Sequence, residues 1–169
     1  MTTEDEMVLI GHSAGSAINN DAADGTVAVG YNALTALTSG SGNLAIGYQA
    51  MLEHQTGDSN TVVGHQAMND SNNHAGYHNT FLGTSSGAGG WSGAAHSNTA
   101  VGSFSFGGGA KTAAAVNNVA VGRDALYAVT SGAYNTVVGK SAALDLNTGS
   151  NNVLLGFAAG ENMTNNVGN

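Results

Sequence analysis

The amino-acid sequence predicts an all-β fold, a single parallel β-solenoid of about nine coils that extends over residues 1–169. Three observations predict it: a glycine recurs every 17 to 20 residues, aliphatic residues precede each of these glycines, and no segment has helical periodicity. Charged residues make up only 8% of the chain and apolar residues 41%, without any Pro or Cys. This composition is unlike that of disordered chains, so we expect a packed core.

The repeat has a core that reads N-T-x-V-G-x-x-A-L. It is clearest at Thr26–Leu34, Asn43–Met51, Asn60–Met68, Asn118–Leu126 and Asn135–Ala143, with looser copies around the other glycines. The anchor glycines are Gly11, Gly30, Gly47, Gly64, Gly83, Gly102, Gly122, Gly139 and Gly156. A unit of this length, with turn residues between aliphatic runs, can form two short strands and two turns, which make one coil. Coils stacked at about 4.8 Å give a rod roughly 40 Å long.

Two aliphatic columns run along the predicted rod. The residues directly before the anchor glycines are Ile10, Val29, Ile46, Val63, Leu82, Val101, Val121, Val138 and Leu155. One residue earlier stand Leu9, Ala28, Ala45, Val62, Phe81, Ala100, Ala120, Val137 and Leu154. Successive strand residues point to opposite faces, so one column fills the solenoid interior and the other needs a cover. A side-by-side homo-oligomer is the simplest cover, and the small alanines favour close approach of the chains.

Two further columns suggest structural roles. A small residue, Ala or Ser, lies three positions after every anchor glycine, as expected at a tight corner. Asparagine lies four positions before seven of the glycines, at Asn43, Asn60, Asn79, Asn98, Asn118, Asn135 and Asn152. Stacked amides satisfy one another, so we expect an asparagine ladder at a turn.

The N-T-x-V-G-x-x-A-L core resembles the head repeats of YadA-like trimeric autotransporter adhesins. It is still more similar to the N-T-A-I-G-Y-x-A-L repeats of bacteriophage tail fibres, over about Met7 to Gly160. The resemblance implies a left-handed β-roll, a trimer around a common axis, and strands before the glycines that face this axis. Handedness and the number three come from the resemblance alone, since the residue pattern indicates only more than one chain.

The chain departs from the adhesins in its 17 to 20 residue coils and in lacking a heptad stalk and a membrane-anchor barrel. Its acidic beginning, Met1 to Glu6, has no cationic or long apolar segment of a secretory signal. A phage fibre is released by lysis and needs no such signal, so a fibre segment on the virion surface or outside the cell is the expected setting. The sequence begins and ends in repeat, so copies stacking end to end into a filament are the alternative.

Charge limits the possible partners. The formal net charge is −8, and the only basic residues are Lys111, Arg123 and Lys140. We therefore expect no nucleic-acid binding, which requires cationic surface. No apolar run approaches the roughly 18 residues that a membrane span requires, so we expect no membrane insertion.

Catalytic, cofactor and metal sites are not expected, because columns of similar residues rarely bring unlike groups together. The glycine-rich Gly107–Gly109 is not followed by the Lys-Ser/Thr of a phosphate-binding loop. His74 and His78 lie four residues apart, but in a loop and without a third ligand, so a zinc site is disfavoured.

Aromatic residues are the candidate contacts to a glycan or protein receptor. Tyr31 and Tyr48 follow anchor glycines in successive coils, and Tyr77, His78, Trp91 and His96 lie where the coils lengthen. Two alternatives stay open: the first pair can instead form a stabilising ring ladder, and Trp91 can instead fold back over a widened coil. Ice binding is a further alternative, weakened because Val27, Leu44, Val119 and Val153 interrupt the column of Thr61, Thr80, Thr99 and Thr136.

Overall fold

The computed structural model describes residues 6–18, 23–71 and 76–165, and within them the chain is a β-solenoid built from nine short parallel strands. The strands are β1 (Val8–Ile10), β2 (Val27–Val29), β3 (Leu44–Ile46), β4 (Thr61–Val63), β5 (Thr80–Leu82), β6 (Thr99–Val101), β7 (Val119–Val121), β8 (Thr136–Val138) and β9 (Val153–Leu155). They form one sheet in sequence order, so eight turns of the solenoid connect them. The all-β parallel solenoid predicted from the sequence is confirmed.

Neighbouring strands pair without any shift in register. Ala28, for example, lies opposite Ala45. The ladder continues beyond the strands, where the Val27 N–H donates to the Asn43 carbonyl and the Gly47 N–H donates to the Val29 carbonyl, both at 2.8 Å. Each segment that carries one strand and its anchor glycine is called a coil, numbered 1 to 9, and positions are counted from that glycine.

Each coil contains one strand, whereas the sequence predicted two. After the anchor glycine the backbone turns left-handed at positions +2 and +4 of every coil, for instance at Asn32 (φ 54°) and Leu34 (φ 51°). These alternating bends turn the chain before a second strand can extend. Left-handed backbone costs about 1–2 kcal/mol for a residue with a side chain, so the packing between coils must stabilise it.

The anchor glycines are required because successive coils approach most closely there. A Cβ atom added to Gly30, which has φ of 138°, would lie 2.4 Å from the carbonyl oxygen of Gly47. The same contact recurs down the rod, with Gly47 against Gly64 at 2.4 Å. A side chain would collide with the next coil at the eight anchor glycines from Gly11 to Gly139, which explains why glycine recurs there; Gly156 has open space but shares the positive φ, 119°.

The middle residue of each strand, at position −2, faces the interior. Seven of these nine side chains, those of β2 to β8, are completely buried, from Ala28 to Val137. The alanines in this column therefore fill the narrow interior. The expectation that they bring neighbouring chains together is wrong, because strand alternation places positions −3 and −1 on the outside instead.

In seven of the nine coils, a large residue at one of positions −2 and +4 is matched by a small residue at the other, and we call this the volume exchange. Where position −2 is large, position +4 is Gly: Leu9 with Gly15, Phe81 with Gly87, and Leu154 with Gly160. The contact is direct, since a Cβ at Gly87 would lie 2.4 Å from the Phe81 ring. Where position −2 is Ala, position +4 is large: Ala28 with Leu34, Ala45 with Met51, Ala100 with Phe106, and Ala120 with Leu126. Coil 4, with Val62 and Met68, and coil 8, with Val137 and Ala143, follow neither arrangement.

The predicted asparagine ladder is present and buried. In each step the Oδ1 atom of one asparagine accepts from both the backbone N–H and the Nδ2 group of the next; for Asn43 and Asn60 these distances are 3.0 and 3.1 Å. The Nδ2 group of Asn60 also donates to the Gly76 carbonyl at 2.8 Å. The left-handed residue of this turn is the one before the asparagine, such as Ser59 (φ 59°). The small corner column is likewise buried in coils 2 to 8.

The volume exchange yields a test in coil 3. Replacing Ala45 by Leu overfills the interior and is expected to lower the free energy of unfolding by about 1–3 kcal/mol. Met51→Gly leaves a cavity and is expected to cost about 2–5 kcal/mol, partly offset because Gly adopts left-handed backbone freely. The double variant is expected to lose at least about 1 kcal/mol less than the sum, measured by urea unfolding.

A matched control combines Ala45→Leu with Leu126→Gly, which lies four coils away. These two changes are expected to add within about 0.5 kcal/mol. Strict additivity in the coil 3 pair, or equal coupling in the distant pair, would contradict the exchange of volume within a coil.

Candidate functional site

The outward side of the strand ladder is a regular surface that extends over all nine strands. Positions −3 and −1, which we call the outer sheet face, are partly or largely exposed in every coil. Position −3 carries Val8, Val27, Leu44, Thr61, Thr80, Thr99, Val119, Thr136 and Val153, and position −1 carries the aliphatic column already described. The face therefore carries no charge, and its only polar groups are four threonine hydroxyls.

Two borders flank this face. The residues at position +1 form the C-terminal border, and those at positions −6 and −5 form the N-terminal border. Positions −3 and −1 point outward by strand alternation, the Asn at −4 is buried, and positions −5 and +1 are exposed or partly exposed just beyond the two ends of the strand. The strand with its flanking Asn and Gly, from −4 to 0, spans roughly 13 Å, so the two borders of one chain are well separated.

A ladder of four stacked rings occupies the C-terminal border of coils 1 to 4. The ring centroids are 5.2 Å apart for His12 and Tyr31, 5.3 Å for Tyr31 and Tyr48, and 5.1 Å for Tyr48 and His65, with interplanar angles of 15°, 9° and 10°. Stacking covers both faces of Tyr31 and Tyr48, so their edges and hydroxyl groups face solvent. A sugar ring packs on an aromatic face, and this geometry therefore favours the stabilising alternative for these two residues.

A second ring cluster lies on the N-terminal border of coils 5 and 6. Tyr77 stacks on His96 with centroids 4.5 Å apart, and it meets the His78 ring edge-on at 5.3 Å. Tyr77 and His78 are exposed and His96 is half-buried. The structure thus brings three of the six predicted contact residues together, and it separates them from Tyr31 and Tyr48 on the opposite border.

Trp91 lies inside the solenoid, where its side chain is only 2% exposed. Its ring packs edge-on against Phe81 with centroids 6.2 Å apart, and its Nε1–H donates to the Gly87 carbonyl at 3.1 Å. The expectation of an exposed Trp91 contact is wrong. The lengthened coil has more interior to fill, so the alternative in which the indole folds back over it is the arrangement observed.

Of the two histidines at which a zinc site was considered and disfavoured, His74 lies outside the described residues. Elsewhere in the described part of the chain, no three His, Cys, Asp or Glu side chains come close enough to hold a metal ion. Residues 6–18, 23–71 and 76–165 also contain no pocket of ligand size.

Sequence reasoning missed a buried polar pair, His54 and Ser71, in coils 3 and 4. His54, at position +7, is fully buried in a column that holds Leu37 and Leu146 in other coils, and its Nδ1 atom lies 3.3 Å from the Ser71 Oγ. The column at +7 is mostly aliphatic, and this was the signal in the sequence that its members, including His54, are buried. Burial lowers the pKa of His54 from 6.5 to about 4, although the Gly57 backbone and the Asp58 carboxylate oppose the shift.

Lys111 is also fully buried, in the longest coil. Its ammonium group donates to the Ala88 carbonyl and lies 5.4 Å from the centroid of the Phe106 ring. Burial lowers the pKa of Lys111 from 10.5 to about 7, against the attraction of the Asp70 carboxylate. One of three cations is therefore withdrawn from the surface, which leaves Arg123 and Lys140 exposed in adjacent coils.

The threonine column lies on the outer sheet face at position −3. Thr61, Thr80 and Thr99 are direct neighbours in the ladder, whereas Thr136 is separated from them by Val119. Ice binding remains a prediction with a short and interrupted array. Within the described residues, no helix is long and apolar enough to cross a membrane.

No protein-family model, curated protein or solved structure matches this chain.

The burial of His54 predicts sensitivity to acid. The unfolded chain binds a proton at this residue below about pH 6.5, while the folded chain resists it down to about pH 4. The unfolded state therefore binds more protons between pH 4 and pH 6.5. The contribution of His54 to the free energy of unfolding is fully present above pH 6.5, and about 3 kcal/mol is lost as the pH falls to 4. Thermal unfolding at pH values from 7 to 4 measures it.

His54→Leu is expected to flatten this acid limb, because Leu occupies the same column in coils 2 and 8. His65→Leu, a change of an exposed histidine, serves as the matched control and is expected to retain the limb. An unchanged acid limb in His54→Leu would assign the pH dependence to other groups.

Proposed function

We propose that this chain is a segment of an elongated homo-oligomeric fibre, of the kind found in phage tail fibres and surface adhesins, at a virion surface or outside the cell. Its coils set the length of the rod, and its outer sheet face holds the copies side by side. The observation that carries this proposal is the uncharged outer sheet face, which extends over all nine coils.

A face of this kind favours association. It presents nine aliphatic residues at position −1 and five more at position −3, in a flat ladder with Ile10 58% exposed and Val138 38% exposed. Contiguous apolar patches of such extent are uncommon on monomers and usually mark interaction sites. In parallel sheets both faces are ordinarily covered, and the chain itself covers only the inner one. A second copy supplies the missing layer with the same periodicity.

The resemblance to trimeric adhesins and tail fibres supports three copies around a common axis. The role that we propose is not catalytic, because near-identical coils place like groups in columns, whereas catalysis combines unlike groups. The fibre is proposed to display receptor contacts. Two rings stay available for a glycan or protein, because they lie beyond the outer sheet face and its borders: Phe104, which is 39% exposed, and Tyr127, which is 38% exposed.

Light scattering coupled to size exclusion tests the assembly. The native chain is expected to elute as a discrete species of three times 16.7 kDa. Val63→Glu places a carboxylate at the middle of the outer sheet face and is expected to raise the dissociation constant at least tenfold, because an unpaired buried charge costs several kcal/mol.

Ala113→Glu adds the same charge at an exposed position in a loop, and it is expected to leave the mass unchanged. A native monomer would contradict the proposal. Mass that grows steadily with concentration would favour the alternative filament formed by end-to-end stacking.

A further inference from the structure

The two borders of the outer sheet face carry their bulky side chains in different coils. On the C-terminal border, rings occur in coils 1 to 4 and in coil 9, as His12, Tyr31, Tyr48, His65 and Phe157. In coils 1 to 4 this ladder is stacked and in contact from ring to ring. In coils 5 to 8 the same position holds Thr, Ser, Arg and Lys.

The N-terminal border follows the opposite distribution. Its rings are Tyr77 and His78 in coil 5, His96 in coil 6 and Tyr134 in coil 8. In coils 2 to 4, where the C-terminal border carries rings, position −5 holds Gly25, Gly42 and Ser59. Among the described residues, no coil has a ring on both borders.

This exclusion has no explanation within one chain. The two borders are separated by the strand and its flanking Asn and Gly, roughly 13 Å, so their side chains do not compete for space. The exchange of volume between positions −2 and +4 is different, because there the two side chains touch. Because residues on the two borders of the same coil depend on each other, these borders must come into contact, and that contact must form between two copies of the chain.

We infer that the C-terminal border of one copy packs against the N-terminal border of the next copy at the same coil, in a closed ring of parallel chains. Rotation about an axis parallel to the rod keeps every coil at its own height, so it brings these two borders together in register. An antiparallel pair would instead bring a border against itself. This inference rests on the proposed side-by-side assembly and adds its polarity, its register and the residues that fit together.

Each contact then joins a large group to a small one or to a group of different kind. Tyr31 and Tyr48 of one copy fit beside Gly25 and Gly42 of the next. In coil 8 the pairing brings the Lys140 ammonium toward Tyr134, which is 60% exposed in the single chain and offers a ring for a cation–π contact. The rings of the two borders thus act in assembly, which removes them, but not Phe104 and Tyr127, from the surface available to a receptor.

The absence of Cys from the sequence permits a direct test with introduced thiols. Ser97→Cys with Ser103→Cys places one thiol on each border of coil 6 by conservative changes. Oxidation or a short thiol cross-linker is expected to link neighbouring copies into a closed covalent ring on a non-reducing gel. Within one chain the two sites are too far apart for a disulfide, which requires Cα atoms closer than about 7 Å.

Two controls examine register and polarity. Ser59→Cys with Ser103→Cys uses the same residue types two coils apart, offset by roughly 10 Å along the rod, and is expected to give less than a tenth of the cross-linked product. Thr84→Cys alone, in the middle coil, would cross-link two copies only in an antiparallel pair, and it is expected to give no cross-linked product. Equal cross-linking of the offset pair, or efficient linkage through Thr84→Cys alone, would overturn the inference.

The uncross-linked proteins are first measured by light scattering, which separates the two proposals. A monomeric native chain overturns both. An oligomer in which the coil 6 pair does not link overturns only the pairing of borders. Should that pair impair folding, Thr84→Trp serves instead: it places a ring opposite His78 and is expected to weaken association at least tenfold, whereas Thr84→Val is expected to leave it unchanged. Equal association of Thr84→Trp and Thr84→Val would also overturn the pairing.

Discussion

The close approach of successive anchor glycines is the constraint on which the rest of this structure depends. With the backbone of one coil in contact with that of the next, every coil must follow the same path through its strand, its anchor glycine and the turn that comes next, and coils differ in length only outside this segment. The in-register ladder, the buried asparagine amides and the alternating left-handed turns all repeat for this reason. A coil that was wider or narrower at this point would break the hydrogen bonds of both neighbours.

A fixed backbone path leaves the side chains to adjust. Inside the solenoid, a large residue at position −2 requires Gly at +4, as in Phe81 and Gly87, and Ala at −2 permits a large residue at +4, as in Ala45 and Met51. The lengthened middle coils need more filling, which Trp91 and Lys111 supply from loops. On the outside, the proposed pairing of borders applies the same principle between copies, because large side chains on one border lie against small residues on the border of the next copy.

Much of the fold was predictable from columns of like residues, because a solenoid converts sequence period directly into spatial neighbours. The anchor glycines, the asparagine ladder and both aliphatic columns were identified in this way. Which column was the inner one was not identified, and the alanines of the Ala28 to Val137 column were expected at the contact between chains. The number of strands in each coil was not, since left-handed turns at residues such as Leu34 and Met51 break the usual preference for glycine and have no plain sequence signature. Trp91 was misplaced because a lengthened coil suggests an exposed loop, while burial depends on how much interior that coil must fill. His54 and Lys111 were missed because ionisable side chains are seldom fully buried.

Small-angle X-ray scattering of the purified chain tests the central claim most directly, because it reports length and mass together. A rod about 40 Å long, the height of nine coils at 4.8 Å, with a mass that is a whole multiple of 16.7 kDa greater than one, is the predicted result. Particles with the mass of one chain at all concentrations would show that the outer sheet face needs no second copy, and would contradict the account.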